Sequence, residues 1–93
     1  MGNQTTEIAW AQAEQLDLSG LKCPMPVLMT GRVLRRINPG DAVAVTVTDA
    51  MAPLDLRHLC QRDGHVILDE TQNENGARRF LIRSGPRLTR TVV

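Results

Sequence analysis

The chain has almost no aromatic side chains: one tryptophan, one phenylalanine and no tyrosine among 93 residues. Proteins usually bind single-stranded nucleic acid by stacking its bases on aromatic rings, so such a surface is hard to build here. The formal net charge of +1 does not supply a broad basic surface either. We therefore expect no direct contact with nucleic acid.

Cysteine is scarce as well, with only Cys23 and Cys60, whose spacing does not match a zinc site. Two cysteines do not indicate a disulfide framework, and a reducing cytosol is their natural setting. Residues 1–15 contain no basic segment followed by an apolar run, and no window of the sequence approaches the length of a membrane span. The composition predicts a soluble, cytoplasmic protein without a metal site.

The length suffices for one domain with a single core. Apolar periodicity, proline and glycine predict a strand at 16–19, a helix at 26–37, a strand at 42–48, a helix from 53 to 63, and strands at 65–70 and 79–83. The order βαβαββ implies an α+β fold, a two-layer sandwich in which two helices lie on one face of a four-stranded mixed sheet. The domain spans 16–85, and we expect flexible extensions at 1–15 and 86–93.

Cys23 lies where the first predicted strand meets the first predicted helix. Pro26 suits the first position of a helix, and Pro24 favours an extended Cys23 whose side chain points to solvent. The positive end of that helix and the adjacent Lys22 both favour a thiolate, so we expect an exposed, partly ionised nucleophile. No second acid or base stands beside it in the sequence. The alternative is a small apolar cysteine that caps the core.

Cys60 shares an arc of the second predicted helix with Leu56 and Leu59, which favours a buried core cysteine. The alternative is a redox pair with Cys23. In successive right-handed βαβ units the two helices run parallel, which places the two cysteines at opposite edges of the helix layer. Because a disulfide needs Cα atoms within about 7 Å, we do not expect this pair to form one.

The first predicted helix carries two further sets of side chains beside the cysteine. The apolar set, a candidate docking patch that Met51 and Leu54 could extend, consists of Met25, Leu28 and Met29. The basic set, a solvated face that could steer an acidic protein partner, consists of Arg32, Arg35 and Arg36. Scattered surface hydrophobes and a nucleic-acid patch are the respective alternatives.

Residues 16–26, LDLSGLKCPMP, resemble the signature of the TusA/SirA family of sulfur carriers, whose hallmark is Cys-Pro-x-Pro at the start of the first helix. The similarity covers about residues 16–85 and includes NPGD at 38–41, LC at 59–60, GH at 64–65 and FLIRSG at 80–85. The resemblance implies the same βαβαββ fold. It also implies that the motif cysteine, here Cys23, takes a sulfane sulfur as a persulfide and passes it on. The residues themselves favour supporting roles for Lys22, Pro24 and Pro26, and the alternative for Lys22 is a solvated charge at the strand end.

The implied activity is that of a sulfurtransferase acting as a persulfide relay, without a cofactor. A monomer would meet a cysteine desulfurase or rhodanese-type donor and an acceptor protein transiently, away from membranes. Met25 replaces the acidic residue that members serving tRNA thiolation tend to carry, and 49–53 replace their Asp-Asp-Pro loop. tRNA thiolation, molybdenum-cofactor or selenium metabolism and sulfur oxidation stay open as pathways. A small RNA- or protein-binding regulatory module and a thiol redox protein are the competing functions.

Overall fold

The computed structural model describes residues 4–86, which form three helices and one four-stranded sheet. The helices are α1 (Gln4–Gln12), α2 (Met25–Arg36) and α3 (Ala52–Asp63), and the strands are β1 (Glu14–Leu18), β2 (Ala42–Val47), β3 (Val66–Gln72) and β4 (Arg78–Arg83). The sheet order is β1-β2-β4-β3, with β1 and β2 parallel and the other pairs antiparallel. The predicted α+β class and mixed sheet are confirmed. Of the predicted tail at 86–93, all but Pro86 lies outside the described residues, as do 1–3.

The main core lies between one face of the sheet and helices α2 and α3. Val43, Val45 and Val47 alternate along β2 and are all fully buried on this face. Phe80 and Ile82 add to the same layer from β4. The residues that alternate with these in β2 and β4 point to the other face of the sheet, because successive side chains of a strand lie on opposite faces.

The two helices of the main layer approach each other closely at Gly31. A Cβ atom at this position would lie 3.6 Å from a methyl carbon of Leu59 on α3, which is van der Waals contact, and 3.3 Å from the guanidinium of Arg35. Gly64, with φ of 80°, ends α3 in the left-handed conformation that glycine adopts without strain. Glycine therefore lies both at the contact between the two helices and at the end of the second one.

The sequence predicts no fixed structure for residues 1–15, and the structure differs there. Gln4–Gln12 form α1, and β1 already begins at Glu14. Two contacts between residues distant in sequence hold α1 on the second face of the sheet. Nε1 of Trp10 donates a hydrogen bond of 2.8 Å to Asp69. The guanidinium carbon of Arg79 lies 4.6 Å from the centre of the Trp10 indole ring. Gln4–Gln12 of the predicted extension therefore form a third helix, which packs on the second face of the sheet.

Both helices of the main layer begin at the same edge of the sheet. The parallel strands β1 and β2 each lead into a helix, so the loops that follow them lie side by side. The backbone N–H of Gly20 in the first loop donates a hydrogen bond of 2.8 Å to Oγ1 of Thr48 in the second. Among the described residues, no helix is long and apolar enough to cross a membrane.

Candidate functional site

Cys23 lies in the loop between β1 and α2, and its side chain is exposed. The backbone N–H of Met25 donates to the carbonyl oxygen of Lys22 at 2.8 Å, which closes a tight turn around the cysteine, and the Cys23–Pro24 peptide bond is cis. Helix α2 starts at Met25, one residue earlier than predicted, with Pro26 buried at its second position. The prediction of an exposed thiol at the start of this helix is confirmed.

The thiol has a carboxylate partner that sequence reasoning missed. Sγ of Cys23 donates a hydrogen bond to Oδ2 of Asp55 at 3.2 Å, across 32 positions of sequence. Asp55 lies in the first turn of α3, where the helix dipole favours a negative charge. The signal that could have found it is the topology itself, because parallel βα units bring the starts of successive helices to one edge of the sheet.

Ionisation of Cys23 shifts in the direction opposite to the one expected. The hydrogen bond to Asp55 is the largest influence and raises the pKa of the thiol, with smaller contributions in the same direction from partial desolvation and from the charges of Asp55 and Asp49. The expectation of a lowered pKa is wrong because a carboxylate at hydrogen-bond distance outweighs a helix end and the solvated Lys22. The unloaded site therefore favours a neutral thiol.

Four large apolar side chains at the starts of α2 and α3 are exposed to solvent. They form what we call the apolar rim, which consists of Met25, Leu28, Met51 and Leu54. Met25 and Leu28 belong to α2 on the Cys23 side, and Met51 and Leu54 flank the start of α3 on the Asp55 side. Met29 is partly buried and packs against the main core, so its predicted place in an exposed patch is wrong. Helical geometry turns it inward from the stripe that carries Leu28.

The three predicted docking arginines do not lie together at the site. Arg32 is exposed one turn beyond Leu28 on the same side of α2. Arg35 and Arg36 lie at the far end of this helix, where Arg36 pairs with Glu14 of β1 and Arg35 acts on Asp63 electrostatically. A rise of 1.5 Å per residue places that end roughly 16 Å from Met25. Lys22 and Arg32 are therefore the cations nearest the thiol in the sequence-predicted set.

The second cysteine belongs to the core. Cys60 is 4% exposed and clusters with Leu56 and Leu59, which confirms the prediction of a buried core cysteine. Burial raises the pKa of its thiol to about 11. Both cysteines are free, one exposed and one buried, an arrangement unlike that of a redox pair. Within residues 4–86, no group of His, Cys, Asp and Glu side chains is arranged to hold a metal ion.

Comparison with known proteins identifies the family of this domain. The family model described as Sulfurtransferase TusA matches residues 14–84. A putative sulfur carrier protein of Neisseria meningitidis serogroup A is 40% identical over 62 residues, which are 67% of this chain and 84% of that protein. The sulfur carrier protein TusA of Allochromatium vinosum is 31% identical over 70 residues, 75% of this chain and 91% of that protein.

The crystal structure of a SirA-like protein from Desulfitobacterium hafniense has the same fold. The two structures superimpose with a TM-score of 0.69 at 23% sequence identity, over 77% of this chain and 97% of the other. The family match covers both helix starts and therefore includes Cys23 and Asp55. The chain belongs to the TusA/SirA family of sulfur carriers.

Proposed function

We propose that this protein is a persulfide relay in which Cys23 is the sulfur-carrying residue. Cys23 attacks the outer sulfur of a donor persulfide, the S–S bond of the donor breaks, and a new S–S bond forms on Cys23. The proton of the Cys23 thiol ends on the donor sulfur, which leaves as a thiol, and no net oxidation occurs. A nucleophile of the acceptor then removes the outer sulfur from Cys23. The activity needs no cofactor.

The observation that carries this proposal is the placement of the Cys23 sulfur. It is exposed at the point where two helix N-termini meet, within a domain of the sulfur-carrier family. An exposed sulfur on a tight turn can reach a thiol on another protein, whereas the buried Cys60 cannot.

We propose a cysteine desulfurase or a rhodanese-type enzyme as the donor and a second protein as the acceptor, each bound transiently by a monomer in the cytoplasm. The apolar rim supplies the buried part of such a contact, and Arg32 favours a partner with an acidic residue where that partner meets α2. Arg35 and Arg36 contribute only to long-range attraction, because they lie at the far end of α2.

Loading is tested by intact mass after incubation with a cysteine desulfurase and cysteine. The wild-type protein should gain the mass of one sulfur atom, and a reductant should remove it. Cys60→Ala should gain the same mass, whereas Cys23→Ala should gain none. An unmodified wild-type protein, or loading of Cys23→Ala equal to wild type, would reject the relay.

The docking role of the apolar rim is tested with Leu28→Glu. Leu28 is 57% exposed, so the change should leave the fold intact and place a like charge against an acidic partner. We expect the KM for the carrier in a desulfurase loading assay to rise about tenfold, which corresponds to about 1.4 kcal/mol. Ile8→Glu is the matched control, because Ile8 is 53% exposed on α1, at the other face of the sheet. Equal KM values for the two variants would remove Leu28 from the docking surface.

A further inference from the structure

We propose that Asp55 sets the sulfur-transfer potential of Cys23: it stabilises the unloaded thiol, destabilises the loaded persulfide, and so drives sulfur toward the acceptor. The inference rests on the proposed relay and adds to it a residue with a defined electrostatic role. It starts from one contact, the hydrogen bond of 3.2 Å between Sγ of Cys23 and Oδ2 of Asp55.

In the unloaded state the thiol has a proton to donate. Two carboxylates act on it, Asp55 on α3 and Asp49 in the loop between β2 and α3, and its neighbour in the sequence, Lys22, is exposed to solvent. The two carboxylates favour the neutral form of the sulfur, in agreement with the raised pKa of the thiol. The unloaded carrier thus keeps a hydrogen bond and avoids a buildup of like charge.

In the loaded state that proton is absent. A persulfide is more acidic than its parent thiol, so at neutral pH the exchange is Cys23–SH + R–S–S⁻ ⇌ Cys23–S–S⁻ + R–SH. The Cys23 proton moves to the donor sulfur, and the bond to Asp55 is lost. The new anion then lies beside a carboxylate at a distance where like charges repel. Asp55 therefore stabilises the left side of the exchange and destabilises the right side.

The position of Asp55 keeps its charge near the sulfur. Its backbone N–H donates to the carbonyl oxygen of Met51 at 3.2 Å, which holds the residue in the first turn of α3. The carboxylate therefore stays within reach of the sulfur atoms on Cys23 after loading. A carrier built in this way holds its cargo weakly, as a relay between two proteins requires.

The test compares wild type with Asp55→Asn after equilibration with glutathione persulfide and glutathione at a fixed ratio. Intact mass gives the ratio of loaded to unloaded carrier. We expect this ratio to be about two- to fivefold higher in Asp55→Asn, the range that interactions between exposed charges produce. Asp49→Asn should shift it in the same direction by less, because Asp49 acts on the sulfur only through space. Asp41→Asn, the same charge change before the start of β2, should leave it unchanged.

A second measurement needs no persulfide. The pH profile of Cys23 alkylation should have its midpoint at lower pH in Asp55→Asn than in wild type, an effect that a merely structural role of Asp55 would not produce. An equal or lower loaded ratio in Asp55→Asn, or an unchanged alkylation midpoint, would overturn the inference while leaving the relay in place. If wild type does not load at all, the relay itself fails and the inference falls with it.

Discussion

Cys23→Ser should reduce sulfur transfer in a reconstituted relay of desulfurase, carrier and acceptor to the background measured without the carrier. A serine hydroxyl does not accept a sulfane sulfur, and no other described cysteine is exposed. Because Cys23 is exposed, its replacement should change the free energy of unfolding by no more than about 0.5 kcal/mol. The measurement is the initial rate of labelled sulfur reaching the acceptor.

Cys60→Ala is the control for this prediction. The substitution removes the other thiol, which is 4% exposed in the core, so it should reduce stability by about 1 kcal/mol and leave transfer near the wild-type rate. The two variants thus separate chemistry from packing. Transfer by Cys23→Ser at more than the carrier-free background, or loss of transfer in a folded Cys60→Ala, would contradict the role assigned to Cys23.

Phe80→Ala should have the largest effect on stability, a loss of about 3–5 kcal/mol. Phe80 is the largest fully buried side chain of the described residues and belongs to the core between the sheet and helices α2 and α3. The guanidinium carbons of Arg57 and Arg78 lie 5.8 and 6.0 Å from the centre of its ring, so the substitution also removes two cation–π contacts. A domain of this size has a total stability of about 5–15 kcal/mol, so the substitution should remove a large fraction of it.

Urea denaturation followed by circular dichroism measures this loss. Leu28→Ala is the matched control, because it truncates a side chain that is 57% exposed and should shift stability by no more than about 0.5 kcal/mol. Fluorescence of Trp10, the single tryptophan, reports in the same experiment whether α1 leaves the sheet together with the rest of the fold. A loss below about 1.5 kcal/mol in Phe80→Ala would show that the core does not depend on this ring as described.

The fold of the family domain could be predicted because its signals are local. The alternating valines of β2 and the prolines at the starts of α2 and α3 determine the strand and the helix boundaries within a residue or two. Helix α1 lacks such signals: its own apolar pattern is weak, and the contacts that hold it come from Asp69 and Arg79, about sixty and seventy positions away. The position of α1 depends on tertiary packing, so it could not be predicted from residues 1–15 alone.

Some features of the candidate site could likewise be predicted from local sequence, and others could not. The exposure of Cys23 and the burial of Cys60 follow from their places on a loop and on an apolar arc. The direction in which the pKa of Cys23 shifts could not be predicted from the neighbouring sequence, because it is determined by the carboxylate of Asp55 on another helix. Met29 packs against the core because its position on α2 differs by about 100° from that of Leu28. This angle can be read from the sequence, but grouping Met29 with its apolar neighbours in one exposed patch overlooks it.

Mapping the transferred sulfur during turnover tests the central proposal most directly. The wild-type relay is run with an acceptor present, quenched with an alkylating reagent, digested and examined by mass spectrometry. The peptide that contains Cys23 should carry the extra sulfur, and the peptide that contains Cys60 should carry none. Sulfur that reaches the acceptor while the Cys23 peptide stays unmodified, or that accumulates on Cys60, would contradict the proposed relay.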